Sequence, residues 1–96
     1  METENHVVVL TRGEGLWFWC TGCAMCHRVP VIEGPRVPGK LWGFNGDRVK
    51  PTLTPSVHHP GQCHLTVRDG MLVYENDCTH ELAGKTVPMR RSWDWW

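Results

Sequence analysis

Residues 63–76 read CHLTVRDGMLVYEN. Two runs rich in β-branched and apolar residues flank Asp69-Gly70, a dipeptide suited to a type I′ turn. A two-residue loop there pairs Arg68 with Met71, Val67 with Leu72 and Leu65 with Tyr74. Alternation along the strand then sends Cys63, Leu65 and Val67 to one face and His64 and Thr66 to the other. The same register brings Cys63 and His64, at the start of one strand, close to the DCTH of 77–80 just past the end of its partner.

Other strand-like pieces surround this hairpin. HVVVL at 6–10 is β-branched, LWFWC at 16–20 is aromatic, and HRVPVI at 27–32 suits an edge strand because Pro30 removes a ladder donor. Ten glycines and seven prolines leave little room for a long helix. Residues 33–62 read as loop, with turn signals at Asn45-Gly46 and Gly46-Asp47. Pro51 and Pro55 hold Lys50 and Thr54 extended. Within PTLTPS, Ser56 followed by His58 and His59 suggests a hydroxyl and a base, but a proline-shaped loop accounts for the segment more simply. His58-His59 reads as a solvated pair. The expected fold is small and mostly β: a knuckle plus an antiparallel sheet with its central hairpin at 63–76, little helix, one zinc-binding domain over 1–96 and a Trp-rich tail at 92–96.

A chain of 96 residues makes one domain with a marginal core, which disulfides or a metal often reinforce. Formal net charge is zero and the pI is near 7.0. That balance supplies no basic field for nucleic acid. No apolar run approaches the roughly 20 residues that cross a bilayer. METENHVVVL carries acids where a secretory signal carries basic residues, so the cytosol is the expected compartment. Cysteines stay reduced there, and five is an odd number for a closed disulfide set. Metal ligation is the better use for them.

The stretch WFWCTGCAMCHRVP at 17–30 holds Cys20-x2-Cys23, the spacing of a zinc knuckle. Cys20, Cys23, Cys26, His27, Cys63, His64, Cys78 and His80 are all of ligand type. Cys20 and Cys23 follow a strand directly, and Cys63 and Cys78 come together at the open end of the hairpin. These four are the favoured zinc ligands, followed by His80, His64 and His27. A closed set of four is a structural site. The catalytic alternative is a zinc-dependent hydrolase in which His64, His80 and a cysteine hold the ion with one position open and Asp77 or Glu81 acts as general base. His80-Glu81 begins an HExxH-like string, but Gly84 occupies its last position, and Leu82-Ala83-Gly84 reads as a turn. Asp77 as a turn residue and Glu81 as a solvated charge are the plainer readings. Cys78 as a nucleophile beside His80 or His64 ranks third. Trp93, Trp95 and Trp96 either dock on a partner protein or a second copy, or fold back over the core.

Taken in order, Trp19-Cys20, Cys23, His27, WGFNG at 42–46, PTLTPS at 51–56, CH at 63–64, RDG at 68–70 and DCTHELAGKTVP at 77–88 resemble a family of small phage and prophage proteins described as a domain of unknown function. The resemblance covers about residues 17–88. Thr21 stands where the family has proline, and Cys26 is extra to its pattern. Some members carry an ammonia-monooxygenase label, which a chain without a membrane span does not support. The resemblance implies a zinc-binding, phage-type protein acting in the bacterial host cytoplasm. It also implies a neighbourhood of bacterial ubiquitin-like conjugation genes, and with it a peptidase or partner-binding role. The leading expectation is a protein-interaction module, such as an inhibitor of a host defence system, rather than an enzyme. The runner-up is the zinc hydrolase.

Overall fold

The computed structural model describes residues 5–11, 15–33, 42–54, 56–59 and 63–96. Among these, short strands make three small sheets. Strands β1 (Val8–Thr11), β2 (Gly15–Cys20) and β3 (Met25–Val29) form an antiparallel meander in that order. Strand β4 (Val31–Glu33) runs parallel to β5 (Trp42–Phe44), which pairs antiparallel with β6 (Leu53–Thr54). Strands β7 (Val57–His59), β8 (Cys63–Arg68), β9 (Met71–Tyr74) and β10 (Thr86–Pro88) form an antiparallel sheet in the order β10-β9-β8-β7. The fold is mostly β, as expected. No helix among the described residues is long and apolar enough to cross a membrane.

The central hairpin has the expected register: Leu65 faces Tyr74, Val67 faces Leu72 and Arg68 faces Met71. Asp69 and Gly70 both have positive φ, +49° and +77°, which a type I′ turn demands at its two central residues. Cys63, Leu65 and Val67 are buried, whereas His64 and Thr66 are half-buried on the opposite face.

Two stretches differ from the expectation. HRVPVI is not one strand. Pro30 separates β3, at the edge of the first sheet, from β4, at the edge of the second. The Pro30 carbonyl is still used, accepting from Trp42 N–H at 2.9 Å. The segment read as loop over 33–62 contributes β5, β6 and β7, although residues 34–41, 55 and 60–62 lie outside the described set. Its turn signals hold. Gly46 has φ +81°, Asn45 Oδ1 accepts from the Asp47 and Thr52 N–H groups at 3.1 Å, and Asp47 Oδ1 accepts from Val49 and Lys50 N–H at 2.9 Å. The Lys50 and Val49 amides hold the Asp47 carboxyl below its ordinary range.

The core gathers Leu16 and Phe18 from β2, Leu53 from β6, Leu65 and Val67 from β8, and Leu72 from β9, all fully buried. Burying each contributes roughly 1.5–3 kcal/mol. The inward faces of β2 and β8 end in Cys20 and Cys63, so the same alternation that builds the core delivers two thiols to its edge.

The C-terminal segment lies back over the outer face of β2. Ser92 N–H donates to the His6 carbonyl at 2.7 Å, Trp96 packs on Trp17 at 5.7 Å between ring centroids, and the Arg90 guanidinium sits over Trp19. A short 3-10 turn at Ser92–Asp94 carries the fold-back. Trp93 and Trp96 nonetheless remain exposed.

Candidate active site and metal centre

Two groups of chemically capable side chains sit on opposite faces of β8. On the inward face, Cys20, Cys23, His27 and Cys63 each offer a ligand atom, and these atoms lie within 4.8 Å of one another. Three elements meet there. β2 ends in Cys20, the turn after it carries Cys23, β3 returns His27 opposite Phe18, and β8 opens with Cys63. Cys20 Sγ and Cys63 Sγ are 3.8 Å apart. Zinc–sulfur bonds of about 2.3 Å give a tetrahedral S···S edge of about 3.8 Å. Burial pushes the Cys63 thiol well above its ordinary range, and the neighbouring Cys20 and Cys23 sulfurs push it further. A cation is what would reverse that and favour thiolates.

The surroundings suit a thiolate cluster. Tyr74 OH accepts from Gly22 N–H at 3.0 Å and lies 3.2 Å from Cys20 Sγ, which leaves its own proton for the sulfur. Burial and Cys20 hold the phenol in its neutral, donating form. His80 Nε2 is 3.4 Å from Cys63 Sγ, while Leu82 N–H donates to His80 Nδ1 at 3.2 Å. A neutral imidazole that accepts at Nδ1 carries its proton on Nε2, so His80 donates to Cys63. A Cβ at Gly22 would fall 2.3–2.5 Å from the His80 ring atoms, so the knuckle needs glycine at that position.

Of the favoured ligands, Cys20, Cys23 and Cys63 thus converge, and the imidazole beside them is His27. Cys78 belongs to a second group with Cys63 and His80. Its Sγ accepts from His64 N–H at 3.2 Å and faces the His64 carbonyl at 3.1 Å, so Cys78 grips the backbone of that histidine. Cys26 lies half-buried across from Trp19. Glu81 is exposed in a shallow groove with Thr21, Gly22, Thr79, His80 and Leu82.

On the outward face, Ser56 Oγ lies 3.0 Å from His64 Nε2. His64 Nδ1 is 3.3 Å from both carboxylate oxygens of Asp77. A hydroxyl, an imidazole and a carboxylate in that sequence of contacts are the parts of a Ser-His-Asp triad. Their placement follows from the sheet. His64 points outward because Cys63 points inward. Ser56 immediately precedes β7, which pairs with β8 so that His58 faces His64. Ser56, two residues before His58, lies diagonally from His64, within reach across a strand pair. Asp77 follows β9 beyond Glu75, whose N–H donates to the His64 carbonyl at 2.8 Å. Asp77 is thereby brought within reach of His64.

The imidazole beside Ser56 is His64, which the adjacent His58-His59 dipeptide does not reveal because the contact depends on β7 pairing with β8. The chain contains two serines, Ser56 and Ser92, and the strand pairing of β7 with β8 was the missing signal. The model of one protein family, described as bacterial ubiquitination-like system serine protease (BubE), matches residues 1–74. Ser56 and His64 fall inside that span, and Asp77 falls just beyond it. No curated protein and no solved structure matches the chain.

Proposed function

The chain belongs to the family of bacterial ubiquitination-like system serine proteases (BubE), and from that premise we propose that it is a serine protease whose nucleophile is Ser56, acting on a protein of such a system. The observation that carries the proposal is the Ser56–His64–Asp77 chain of contacts, 3.0 Å at one end of the imidazole and 3.3 Å at the other. Ser56 Oγ attacks the scissile carbonyl while His64 Nε2 takes its proton. Asp77 holds the Nδ1–H tautomer and stabilises the imidazolium. His64 then returns the proton to the leaving amine, and water releases the acyl group from Ser56 by the same route. The 3.3 Å contact is long for a charge-assisted hydrogen bond, as catalytic contacts often are before substrate binds.

The two histidines and the acid of the zinc-hydrolase alternative therefore divide. His64 and Asp77 take their roles in the triad, and His80 supports Cys63. Zinc is proposed as a structural ion held by Cys20, Cys23, Cys63 and His27, a donor set of three thiols and an imidazole that suits a closed tetrahedral site. It clamps the start of β8 to the knuckle, and so fixes the strand on which His64 sits next to Cys63. The exposed Trp93 and Trp96 are the surface an interaction module would use.

A fluorophosphonate probe tests the proposal without knowledge of the substrate. An activated serine oxygen attacks phosphorus and expels fluoride, leaving a stable adduct. Mass spectrometry should place that adduct on Ser56, and Ser56→Ala or His64→Ala should abolish it with the thermal midpoint retained. Labelling of Ser92 instead, or no labelling of a folded, metal-replete chain, would overturn the assignment.

A further inference from the structure

The outward face of β7 and β8 holds one more imidazole than a triad uses. His58 sits opposite His64 in the strand pairing, with ring centroids 4.5 Å apart and planes 34° from parallel. His58, His64 and Asp77 each offer a ligand atom, and these lie within 4.8 Å of one another. The His64 Nδ1 to Asp77 separation is 3.3 Å to either oxygen. Zinc–nitrogen and zinc–oxygen bonds near 2.0–2.2 Å give a tetrahedral edge of about 3.3 Å. Two imidazoles and one carboxylate with a position left open form a donor set for borderline first-row cations. The side chains of His64 and Asp77 are 28% and 58% exposed and His58 is exposed, so an ion reaches them directly from solvent.

We propose that His58, His64 and Asp77 form a second, reversible binding site for a divalent transition-metal ion such as Zn2+, and that filling it switches off Ser56. An ion on these three residues engages a lone pair of the His64 ring and the Asp77 carboxylate. His64 can then neither take the Ser56 proton nor be held by Asp77. The site is weaker than the thiolate cluster across the strand because it has three ligands, no sulfur and open access to water. His58 has no part in the triad, so it is the residue that separates ion binding from catalysis. The consequence for Ser56 rests on the serine-protease reading; the ion site itself does not.

The experiment uses the full chain with its native metal complement and added Co2+ or Zn2+ alone. Co2+ added to Ser56→Ala should bind as one further equivalent with ligand-field bands and no new sulfur-to-metal charge-transfer band. His58→Gln should lose that equivalent. Fluorophosphonate labelling of the wild type should slow about tenfold when added Zn2+ is about ten times its dissociation constant, and recover on dialysis. The His58→Gln variant should keep its basal labelling rate and resist Zn2+. Absence of the extra Co2+ equivalent, or equal inhibition of His58→Gln, overturns the inference. If Ser56 never labels yet His58-dependent Co2+ binding is present, the ion site stands and the protease reading and the proposed switch fail; if Ser56 labels and Zn2+ has no effect, the protease reading stands and the proposed switch fails.

Discussion

Replacing Asp77 by asparagine should slow Ser56 labelling by about 10- to 100-fold, well short of the roughly 10⁴-fold loss seen when a buried triad aspartate is so changed. The figure comes from the exposure of the pair. As His64 takes the serine proton, a positive ring forms 3.3 Å from the Asp77 carboxylate. Unit charges at that distance attract by about 5 kcal/mol at an effective dielectric near 20, and by about 1.3 kcal/mol in bulk water. Each 1.36 kcal/mol is about one decade in rate. Asp77 is 58% exposed at the side chain and His64 28%, which places the pair toward the watery limit. Because the attraction is solvent-screened, the gap between wild type and Asp77→Asn should narrow in about 1 M salt, where the Debye length is about 3 Å. The assay is the second-order rate of fluorophosphonate labelling at low and high salt, with thermal midpoints as the folding control. The midpoint should move little, since surface changes are usually worth within about 0.5 kcal/mol. An Asp77→Asn chain that labels at the wild-type rate would refute the role given to Asp77. A 10⁴-fold loss would refute the argument from exposure.

Phe18→Ala, at a fully buried position, should cost about 3–5 kcal/mol in denaturant unfolding. Gly22→Ala drives a methyl into the His80 ring and should cost about 1–3 kcal/mol as an overpacking change; adding His80→Ala should recover much of that loss, and strict additivity in the double variant would refute the clash. Cys63→Ser should lower bound metal, counted by elemental analysis, and collapse the thermal midpoint together with Ser56 labelling. X-ray absorption of the wild type should show three sulfur ligands and one nitrogen. The lowered Asp47 carboxyl contributes stability that is present above the unfolded carboxylate range near 4 and is lost as pH falls through its folded value. The difference in thermal midpoint between wild type and Asp47→Asn should therefore shrink on acidification, and a difference that grows would have the wrong sign.

Local chemistry made the hairpin legible in advance. Asp69-Gly70 permits a turn with both φ values positive, and alternating residues on either side set the register. The divergence of Cys63 and His64 to opposite faces followed from the same alternation, and so did the approach of residues 77–80. Cys20 and Cys23 were legible because a knuckle is a short-range object. His27 as their companion was not favoured, because its position depends on β3 folding back on β2, a pairing that C-x3-H spacing cannot distinguish from others. Prolines mask the strands inside 51–59, each only two or three residues long, whose pairing comes from neighbours rather than from their own propensity.

Local sequence was enough for the β class, the central hairpin and a pool of cysteines and histidines able to bind a metal. Which of them come together is set by the packing of distant strands. Ser56, His64 and Asp77 come from three separate segments, and no local preference aims a serine at an imidazole on the next strand. The pairing of β7 with β8 does that, and the core beneath Cys63, Leu65 and Val67 turns His64 outward. A periodicity of two tells which face a side chain takes, but what waits on that face is set by strands that arrive from elsewhere in the chain.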